Sequence, residues 1–245
     1  MNLVAWGLWF QFWLVLLTMW AGMLVICWSY IDRNSPMIHR STRWWGQNLL
    51  RVAHTPIQVE GLEHLVPGQA YVFAANHRSN FDIFALVAVL PGRFLWVAKK
   101  SLFQIPILGQ ALSRMGSIPV DRDNLRSAVQ SLDRATATVK RGVSLIIFPE
   151  GTRATTRELL PFKKGVFIMA IKAGQPIVPV SISGTRFIQP PGTIRMTPGP
   201  IKVVISPPIA PHTFRRKEEL MAAVRQAIEA HYDPDFPHGP GNPQP

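Results

Sequence analysis

The chain has 245 residues, 47% of them hydrophobic, and a formal net charge of +12 at pH 7. This length allows one main domain with an appendage, and a core that needs neither disulfides nor a metal to be stable. The single cysteine, Cys27, excludes an internal disulfide. The positive charge predicts an anionic partner, which can be nucleic acid, an anionic membrane surface or a phosphorylated substrate. Charge alone does not decide among these three.

The first 31 residues contain no charged side chain and include the apolar run LVAWGLWFQFWLVLLTMWAGMLVICW. About 20 apolar residues can cross a bilayer, so the run predicts a membrane anchor that either spans the bilayer or enters one leaflet. Several arginines follow Ile31, with only Asp32 opposing them. The positive-inside tendency therefore predicts that the rest of the chain lies in the cytosol, on the inner face of the cytoplasmic membrane.

Between Pro36 and Ala53, apolar residues recur at helical spacing among arginines, which predicts an amphipathic helix. Such a helix can lie in the membrane interface or dock on the globular domain, and both alternatives stay open. We expect residues 1–53 to form a membrane-embedded pair of anchoring helices and residues 54–234 to form the main domain. Residues 235–245 are rich in Pro and Gly and predict a loose tail.

From about residue 54, short β-rich runs alternate with helical periods. The predicted strands are YVFAAN, RFLWVAK, VSLIIFPEG, PIVPVSIS and IKVVISP. Helices are predicted at Asn124–Lys140, from about Lys163 to Ala173, and near the end of the main domain, from about Arg215 to His231. This alternation predicts an α/β domain with a mixed, largely parallel sheet flanked by helices.

The stretch NHRSNFD, residues 76–82, places a histidine and an aspartate where a buried strand gives way to a helix. On a continuous helix His77 and Asp82 would lie about 140° apart and could not meet. A helix capped by Ser79 or Asn80 removes this obstacle, because Asp82 then falls in the first helical turn and His77 stays on the preceding loop. The pair is either a general base with its orienting carboxylate or a structural histidine beside a helix-opening aspartate, and the spacing alone does not separate the two.

Basic residues form three further clusters at predicted loops. The turn FPEGTR, residues 148–153, offers backbone amides and the guanidinium of Arg153 to a phosphate. VAKKSLF supplies Lys99 and Lys100, and GSIPVDR supplies Arg122. Loops at strand ends are where α/β sheets usually hold ligands, so these groups predict a phosphate-binding site. A solvated charged face remains the alternative for each group taken alone.

Four blocks in order, NHRSNFD, GSIPVDR, FPEGTR and PIVPVSI, resemble the signature blocks of the glycerolipid acyltransferases. VAKKSLFQIPILG and LLPFKKGVFIMAIKAG occupy the usual intervening places, and no block is broken. Within the family, the chain looks most like the bacterial 1-acyl-sn-glycerol-3-phosphate acyltransferases. The resemblance implies transfer of a fatty acyl group from acyl-CoA or acyl-carrier protein to the sn-2 hydroxyl of lysophosphatidic acid. The product would be phosphatidic acid, an intermediate of phospholipid biosynthesis.

The resemblance also implies residue roles. His77 would be the general base and Asp82 would orient and stabilise its imidazole, with direct attack on the thioester and no covalent acyl-enzyme. Arg153 matches the phosphate-binding arginine of the family, and Glu150 would order Arg153, bind a substrate hydroxyl or form a structural salt bridge. The candidate substrate-binding residues are Lys99, Lys100, Arg122, Glu150, Gly151, Thr152 and Arg153.

The sequence contains no Walker A motif, no G-x-G-x-x-G and no His/Cys cluster at zinc spacing, so we expect no cofactor and no metal. Nucleic acid is not an expected partner, because the KK and RRK clusters are short and scattered. The expected partners are lysophosphatidic acid, the acyl donor and membrane lipids. One alternative is a same-fold acyltransferase acting on another lysophospholipid or a lyso-aminolipid. The other is a non-catalytic peripheral protein that binds anionic lipid.

Overall fold

A computed structural model describes residues 2–121 and 125–237, with the backbone alone described at 125–128. The helices of at least one α-turn are α1 (Leu3–Ile31), α2 (Pro36–Val52), α3 (Phe81–Val89), α4 (Leu108–Met115), α5 (Leu125–Lys140), α6 (Lys164–Ala173), α7 (Thr185–Ile188) and α8 (Lys217–Glu229). The strands are β1 (Ile57–Glu60), β2 (Val72–Ala75), β3 (Phe94–Lys99), β4 (Ile118–Val120), β5 (Ser144–Ile147), β6 (Ile177–Ser183) and β7 (Ile201–Ile205).

The strands form one seven-stranded sheet in the order β1-β7-β6-β2-β5-β3-β4. Neighbouring strands are parallel except β6 and β7, which run antiparallel. This confirms the predicted mixed, largely parallel sheet with flanking helices. The three helices predicted in the main domain correspond to α5, α6 and α8, although Asn124, the predicted start of the first, lies outside the described residues.

Side chains alternate between the two faces of the sheet, and each face carries its own helices. Along β2, Phe73 and Ala75 pack in a cluster with residues of α2 and α3. Val72 and Ala74 point the other way and pack with residues of α5, α6 and α8. Burial on both faces explains why the central strands read as continuous apolar runs rather than as an alternation of apolar and polar residues.

Helix α1 is long and apolar enough to cross a membrane by length and composition, yet it packs against the domain. Phe10 is fully buried, and its ring stacks on Phe81 with centroids 5.1 Å apart. Gly7 permits close approach to another segment, because a Cβ there would lie 1.8 Å from the carbonyl oxygen of Ile194. Helix α1 is therefore an integral packing element of the described fold as well as a candidate membrane anchor.

Helix α2 also docks on the domain. It begins with Pro36 directly after the cap residue Ser35, whose hydroxyl accepts the N–H of Met37. Ile38, Leu49 and Leu50 are buried, as expected if the apolar face of the helix packs inward. Docking, one of the two alternatives for this amphipathic helix, is thus confirmed, whereas its contact with membrane stays a prediction.

The predicted tail at 235–245 begins against the domain. Asp235 forms an ion pair with Arg157, and a Cβ on Gly184 would lie 3.1 Å from the ring of Phe236. Residues 238–245 of this tail lie outside the described residues. Its first residues therefore belong structurally to the main domain.

Candidate active site

The candidate residues lie at the carboxyl edge of the sheet. Strands β2, β5 and β3 are parallel neighbours, so the loops that follow them emerge at one edge. His77 follows β2, Glu150 and Arg153 follow β5, and Lys99 ends β3. This edge is where open α/β sheets hold their ligands, and the topology brings these parts of the chain together.

His77 and Asp82 are in direct contact. The structure begins α3 at Phe81 with Asn80 in the cap position, so Asp82 lies in the first turn and His77 on the loop, as predicted. The distance from His77 Nδ1 to Asp82 Oδ2 is 2.8 Å. The carboxylate accepts a hydrogen bond from the Nδ1–H group, and in a neutral imidazole this tautomer leaves Nε2 with a lone pair.

Asp82 is completely buried and receives three further hydrogen bonds. The backbone N–H groups of Arg78 and Ser79 donate to Oδ2 at 2.6 and 2.8 Å. The hydroxyl of Thr185, at the start of α7, donates to Oδ1 at 2.6 Å. Four donors from two chain segments thus hold one carboxylate, which in turn fixes the imidazole ring of His77.

The imidazole of His77 bonds this carboxylate at one edge and stacks on an aromatic ring at one face. It stacks on Phe148 with centroids 3.8 Å apart and planes 9° from parallel. The His77 side chain is 11% exposed, and Nε2 has no hydrogen-bond partner in the described parts of the chain. The ring therefore has one fixed face, one nitrogen bonded to carboxylate and one nitrogen available to a substrate.

Glu150 is buried and bonded to backbone rather than to Arg153. Its Oε1 accepts the N–H of His77 and its Oε2 accepts the N–H of Leu160, each at 2.8 Å. Burial raises the pKa of Glu150, and the two N–H bonds oppose that rise. Glu150 makes no described contact with Arg153, so the alternative in which it orders Arg153 is not seen. Its two bonds instead tie the His77 loop to the chain at Leu160. A contact between Glu150 and a substrate hydroxyl stays a prediction.

The turn after β5 places Arg153 beside the start of α3. Gly151 has φ +75°, a left-handed conformation that glycine adopts without strain. The guanidinium of Arg153 donates to Asn80 Oδ1 at 3.1 Å, and the N–H of Ala154 donates to the carbonyl of His77 at 2.9 Å. Arg153 has no carboxylate partner within residues 2–121 and 125–237. Thr152 is exposed on the same turn.

The remaining basic candidates differ in their surroundings. Lys99 is exposed at the end of β3 and forms no ion pair within the described residues. Lys100 lies 3.6 Å from Asp121, with 63% and 29% of the two side chains exposed, so solvent weakens this pair. Arg122 lies outside the described residues. Of Lys99 and Lys100, Lys99 is thus the one without a carboxylate partner among the described residues.

Three residues of the site are missing from the sequence-based prediction: Arg78, Phe148 and Thr185. Arg78 is 1% exposed, and its guanidinium donates to the carbonyls of Thr156 and Arg157 at 2.9 and 3.4 Å, which ties the loop carrying Arg153 to the His77 loop. An arginine between a histidine and a serine gives no signal of burial. Thr185 is 103 positions from Asp82 along the chain, and no local pattern predicts their contact.

In residues 2–121 and 125–237, no three His, Cys, Asp or Glu side chains are grouped so that they could hold a metal ion. The chemical groups that the site does offer are a histidine held by a buried carboxylate and an arginine available to an anion.

Fold and site together define an α/β protein with a histidine–aspartate centre at the carboxyl edge of its sheet. Residues 56–183, which contain this centre, match the family model described as Acyltransferase, and the chain belongs to that family. The membership confirms the resemblance that the four sequence blocks indicate.

Curated relatives share this region. A 1-acyl-sn-glycerol-3-phosphate acyltransferase of Brassica napus, BAT2, chloroplastic, is 40% identical over 153 residues, which are 62% of this chain and 44% of that protein. The human 1-acyl-sn-glycerol-3-phosphate acyltransferase alpha is 34% identical over 154 residues, 62% of this chain and 54% of that protein. The matched region spans about half the length of such relatives.

A solved structure matches over nearly the whole chain. The crystal structure of PlsC, the 1-acyl-sn-glycerophosphate (LPA) acyltransferase of Thermotoga maritima, aligns with a TM-score of 0.83 and 28% sequence identity. The alignment covers 93% of each chain. Helices α1 and α2 account for residues 3–52, so a match of this extent includes part of the N-terminal helices as well as the sheet.

Proposed function

We propose that this protein transfers a fatty acyl group from an acyl thioester to the sn-2 hydroxyl of 1-acyl-sn-glycerol 3-phosphate, forming phosphatidic acid. The observation that carries the proposal is the His77–Asp82 pair, with Nε2 of His77 free of hydrogen-bond partners among the residues that the structure describes and Arg153 on the adjacent turn. The matched proteins of Brassica napus, human and Thermotoga maritima are named for activity on this class of acceptor, which supports the assignment.

The geometry supports a general-base mechanism. Nε2 of His77 removes the proton from the acceptor hydroxyl as its oxygen attacks the thioester carbonyl, and the imidazolium that forms is stabilised by Asp82. Collapse of the tetrahedral intermediate expels the thiolate, which takes the proton from His77. General-base assistance of this kind contributes typically ~10²–10⁴ in rate. The donor enters as acyl-CoA or acyl-carrier protein, and no covalent acyl-enzyme is formed.

The phosphate of the acceptor is assigned to the basic groups around the turn at Gly151 and Thr152. Arg153 supplies a planar fork that matches phosphate oxygens, and its only described side-chain partner is the neutral amide of Asn80. Lys99 supplies a second charge from the end of the neighbouring strand β3. Lys100 and Arg122 complete the proposed set and strengthen the attraction for anionic substrates.

We place the domain on the cytosolic face of the cytoplasmic membrane, held by α1 in one leaflet. Helix α1 has 29 residues, about 43 Å at 1.5 Å per residue, which exceeds the ~30 Å hydrocarbon core. It stays against the domain along this length, since Cβ atoms on Gly7 and Gly22 would clash with Ile194 and Ile107. A helix bound to a polar domain at both ends fits shallow insertion better than an upright span.

The test compares His77→Ala with His212→Ala, the same substitution at an exposed histidine. The full-length proteins, purified in detergent, are assayed with lysophosphatidic acid and acyl-CoA or acyl-carrier protein by release of free thiol. We expect His77→Ala to lose at least ~10²-fold in kcat while it still unfolds cooperatively, and His212→Ala to match wild type. The lost bond to Asp82 should lower the Tm of His77→Ala by a few degrees, as for other donors to this carboxylate. Activity of His77→Ala within tenfold of wild type would remove His77 as the base.

Acceptor choice is tested at Arg153. Arg153→Ala should lose about one to two decades in acceptor kcat/KM, corresponding to ~1.5–3 kcal/mol for charged hydrogen bonds, with little change for the donor. Arg153→Lys should fall between Arg153→Ala and wild type because lysine keeps the charge without the fork. The loss should shrink with a lysolipid that lacks the phosphate monoester. Equal losses for donor and acceptor would instead indicate a disturbed loop, and the same loss with every acceptor would favour another lysolipid.

A further inference from the structure

A second basic feature lies far from His77, where the end of α1 meets the last turn of α4. A groove of about 280 Å³ is lined there by two arginines and two neutral polar residues, Arg33, Gln110, Ser113 and Arg114. We refer to it as the Arg33–Arg114 groove. Helix α4 leads directly into the start of β4, which places this groove toward the amino edge of the sheet, whereas His77 lies at the carboxyl edge. The groove is therefore separate from the proposed active site.

The groove lies at the end of an exposed apolar stripe on α1. The stripe ends at Tyr30 and Ile31, which are 68% and 76% exposed, and Arg33 follows two residues later. The guanidinium carbon of Arg114 lies 3.8 Å from the centroid of the Tyr30 ring. The earlier members of the stripe are Leu8, Trp9, Phe12, Val15, Leu16, Met19, Trp20 and Met23. If this stripe faces acyl chains, both arginines are at the level of the lipid headgroups.

The charges of the groove are open to an anion. Neither Arg33 nor Arg114 forms an ion pair within residues 2–121 and 125–237. The neighbouring acid, Asp32, accepts the N–H of Asn34 in its own turn at 2.8 Å. At the end of α4, the N–H of Gly116 donates to the carbonyls of Leu112 and Ser113, and the N–H of Ser117 donates to that of Leu112, so these two carbonyls of the last turn are already bonded.

We propose that the Arg33–Arg114 groove binds the phosphate of an anionic glycerophospholipid of the surrounding membrane. The two guanidinium groups bond the phosphate oxygens, and Gln110 is the polar side chain offered to the glycerol portion of the headgroup. The hydroxyl of Ser113 already donates to the carbonyl of Gly109 at 2.8 Å, so its oxygen can only accept from the lipid. A lipid, rather than a free phosphate, is the occupant because the groove continues the exposed apolar stripe of α1. The bound lipid would fix the far end of α1 in the leaflet and so set how the carboxyl edge of the sheet meets the membrane.

The test measures binding of full-length protein, diluted from detergent, to vesicles by flotation. Two kinds of vesicle are used, phosphatidylcholine with a quarter phosphatidylglycerol and phosphatidylcholine alone. The quantity compared is the partition coefficient for the first divided by that for the second. We expect Arg33→Lys and Arg114→Lys to lower this ratio about fivefold or more, because lysine keeps the charge but loses the fork. Arg141→Lys and Arg141→Gln, at an exposed position after α5, serve as matched controls and should change it less than twofold.

Three outcomes would overturn the proposal. The first outcome is a partition ratio of the two lysine variants equal to that of wild type. The second is a loss of this ratio in Arg141→Gln as large as in the double variant Arg33→Gln with Arg114→Gln. Either outcome would show diffuse attraction without a site. Removal of the phosphatidylglycerol effect by 10 mM inorganic phosphate at constant ionic strength would assign the groove to free phosphate. Because Arg33 is exposed, Arg33→Lys gives a valid reading even if variants of Arg114 unfold. Thiol release in detergent, measured in parallel, keeps this test independent of the proposed acyl transfer.

Discussion

The hydroxyl of Thr185 should stabilise both the fold and the orientation of Asp82, and Thr185→Val tests this directly. Valine keeps the shape of the side chain but replaces the hydroxyl that donates to Asp82 Oδ1 at 2.6 Å. Both residues are at most 1% exposed, so water does not readily replace the lost donor. A hydrogen bond to a charged group contributes ~1.5–3 kcal/mol, and leaving the buried acceptor unpaired costs a similar amount.

This loss is large enough to measure. For a chain of this size, 1 kcal/mol shifts Tm by about 2–4 °C, so Thr185→Val should lower Tm by roughly 3–12 °C. The effect on catalysis should be smaller, because the N–H groups of Arg78 and Ser79 still hold Oδ2 and the bond to His77 remains. We expect kcat to fall about tenfold or less, whereas Asp82→Asn, which removes the charge and alters the tautomer, should be severe.

The assay combines thermal unfolding with thiol release for wild type, Thr185→Val and Thr185→Ser. Serine keeps the hydroxyl and loses one buried methyl group, worth ~0.8 kcal/mol, so it should lose some stability but retain wild-type kcat. If Thr185→Val unfolds within 1 °C of wild type, or if both variants lose kcat equally, the hydroxyl does not support Asp82 and the reasoning is refuted.

Three further predictions concern other parts of the fold. Arg78→Lys shortens the donor that ties the Arg153 loop to the His77 loop, so acceptor KM should rise with a smaller change in kcat, measured by steady-state kinetics with both substrates. Burial, reinforced by two nearby arginines, lowers the pKa of His39 from 6.5 to about 4. As the pH falls, the unfolded state therefore binds this proton before the folded state does. The free energy of unfolding should fall by up to ~3 kcal/mol as the pH drops from about 6.5 to 4. Denaturant titrations over this pH range should show a smaller loss of unfolding free energy for His39→Gln than for wild type. Gly7→Ala places a Cβ against the carbonyl of Ile194, so it should lower Tm and expose α1 to limited proteolysis. Gly68→Ala is the control: φ at Gly68 is +82° but nothing lies within 4 Å, so it tests backbone strain without a packing clash.

The central strands were predictable from sequence because their residues are apolar on both faces and lie between turn residues. The edge strands β1 and β4 were not predictable in this way. β1, with the sequence IQVE, alternates half-buried and exposed residues and pairs only with β7, so its four residues carry little apolar signal. β4 has three residues with a proline at its centre, which argues against a strand in sequence reasoning. Both depend on pairing with a neighbour that local sequence does not reveal.

The active site was predictable where its geometry is local. His77 and Asp82 are five positions apart, and a strand end followed by a helix cap is enough to bring them together. Glu150 is different, since burial of its carboxylate and its bonds to two backbone N–H groups depend on the packing of β2 beside β5. A sequence gives the residue type at such a position but not the direction of its side chain, which explains why the bonds of Glu150 to backbone were not among the three alternatives that the sequence left open for it.

The position of α1 connects membrane binding with catalysis. Phe10 on this helix stacks on Phe81, the residue directly before Asp82, while the other end of the same helix reaches α4 and the Arg33–Arg114 groove. A helix that contacts the neighbour of Asp82 cannot move relative to the domain without disturbing α3. Any displacement of the exposed apolar stripe would therefore be transmitted through Phe10 to Phe81 and to the first turn of α3, which carries Asp82.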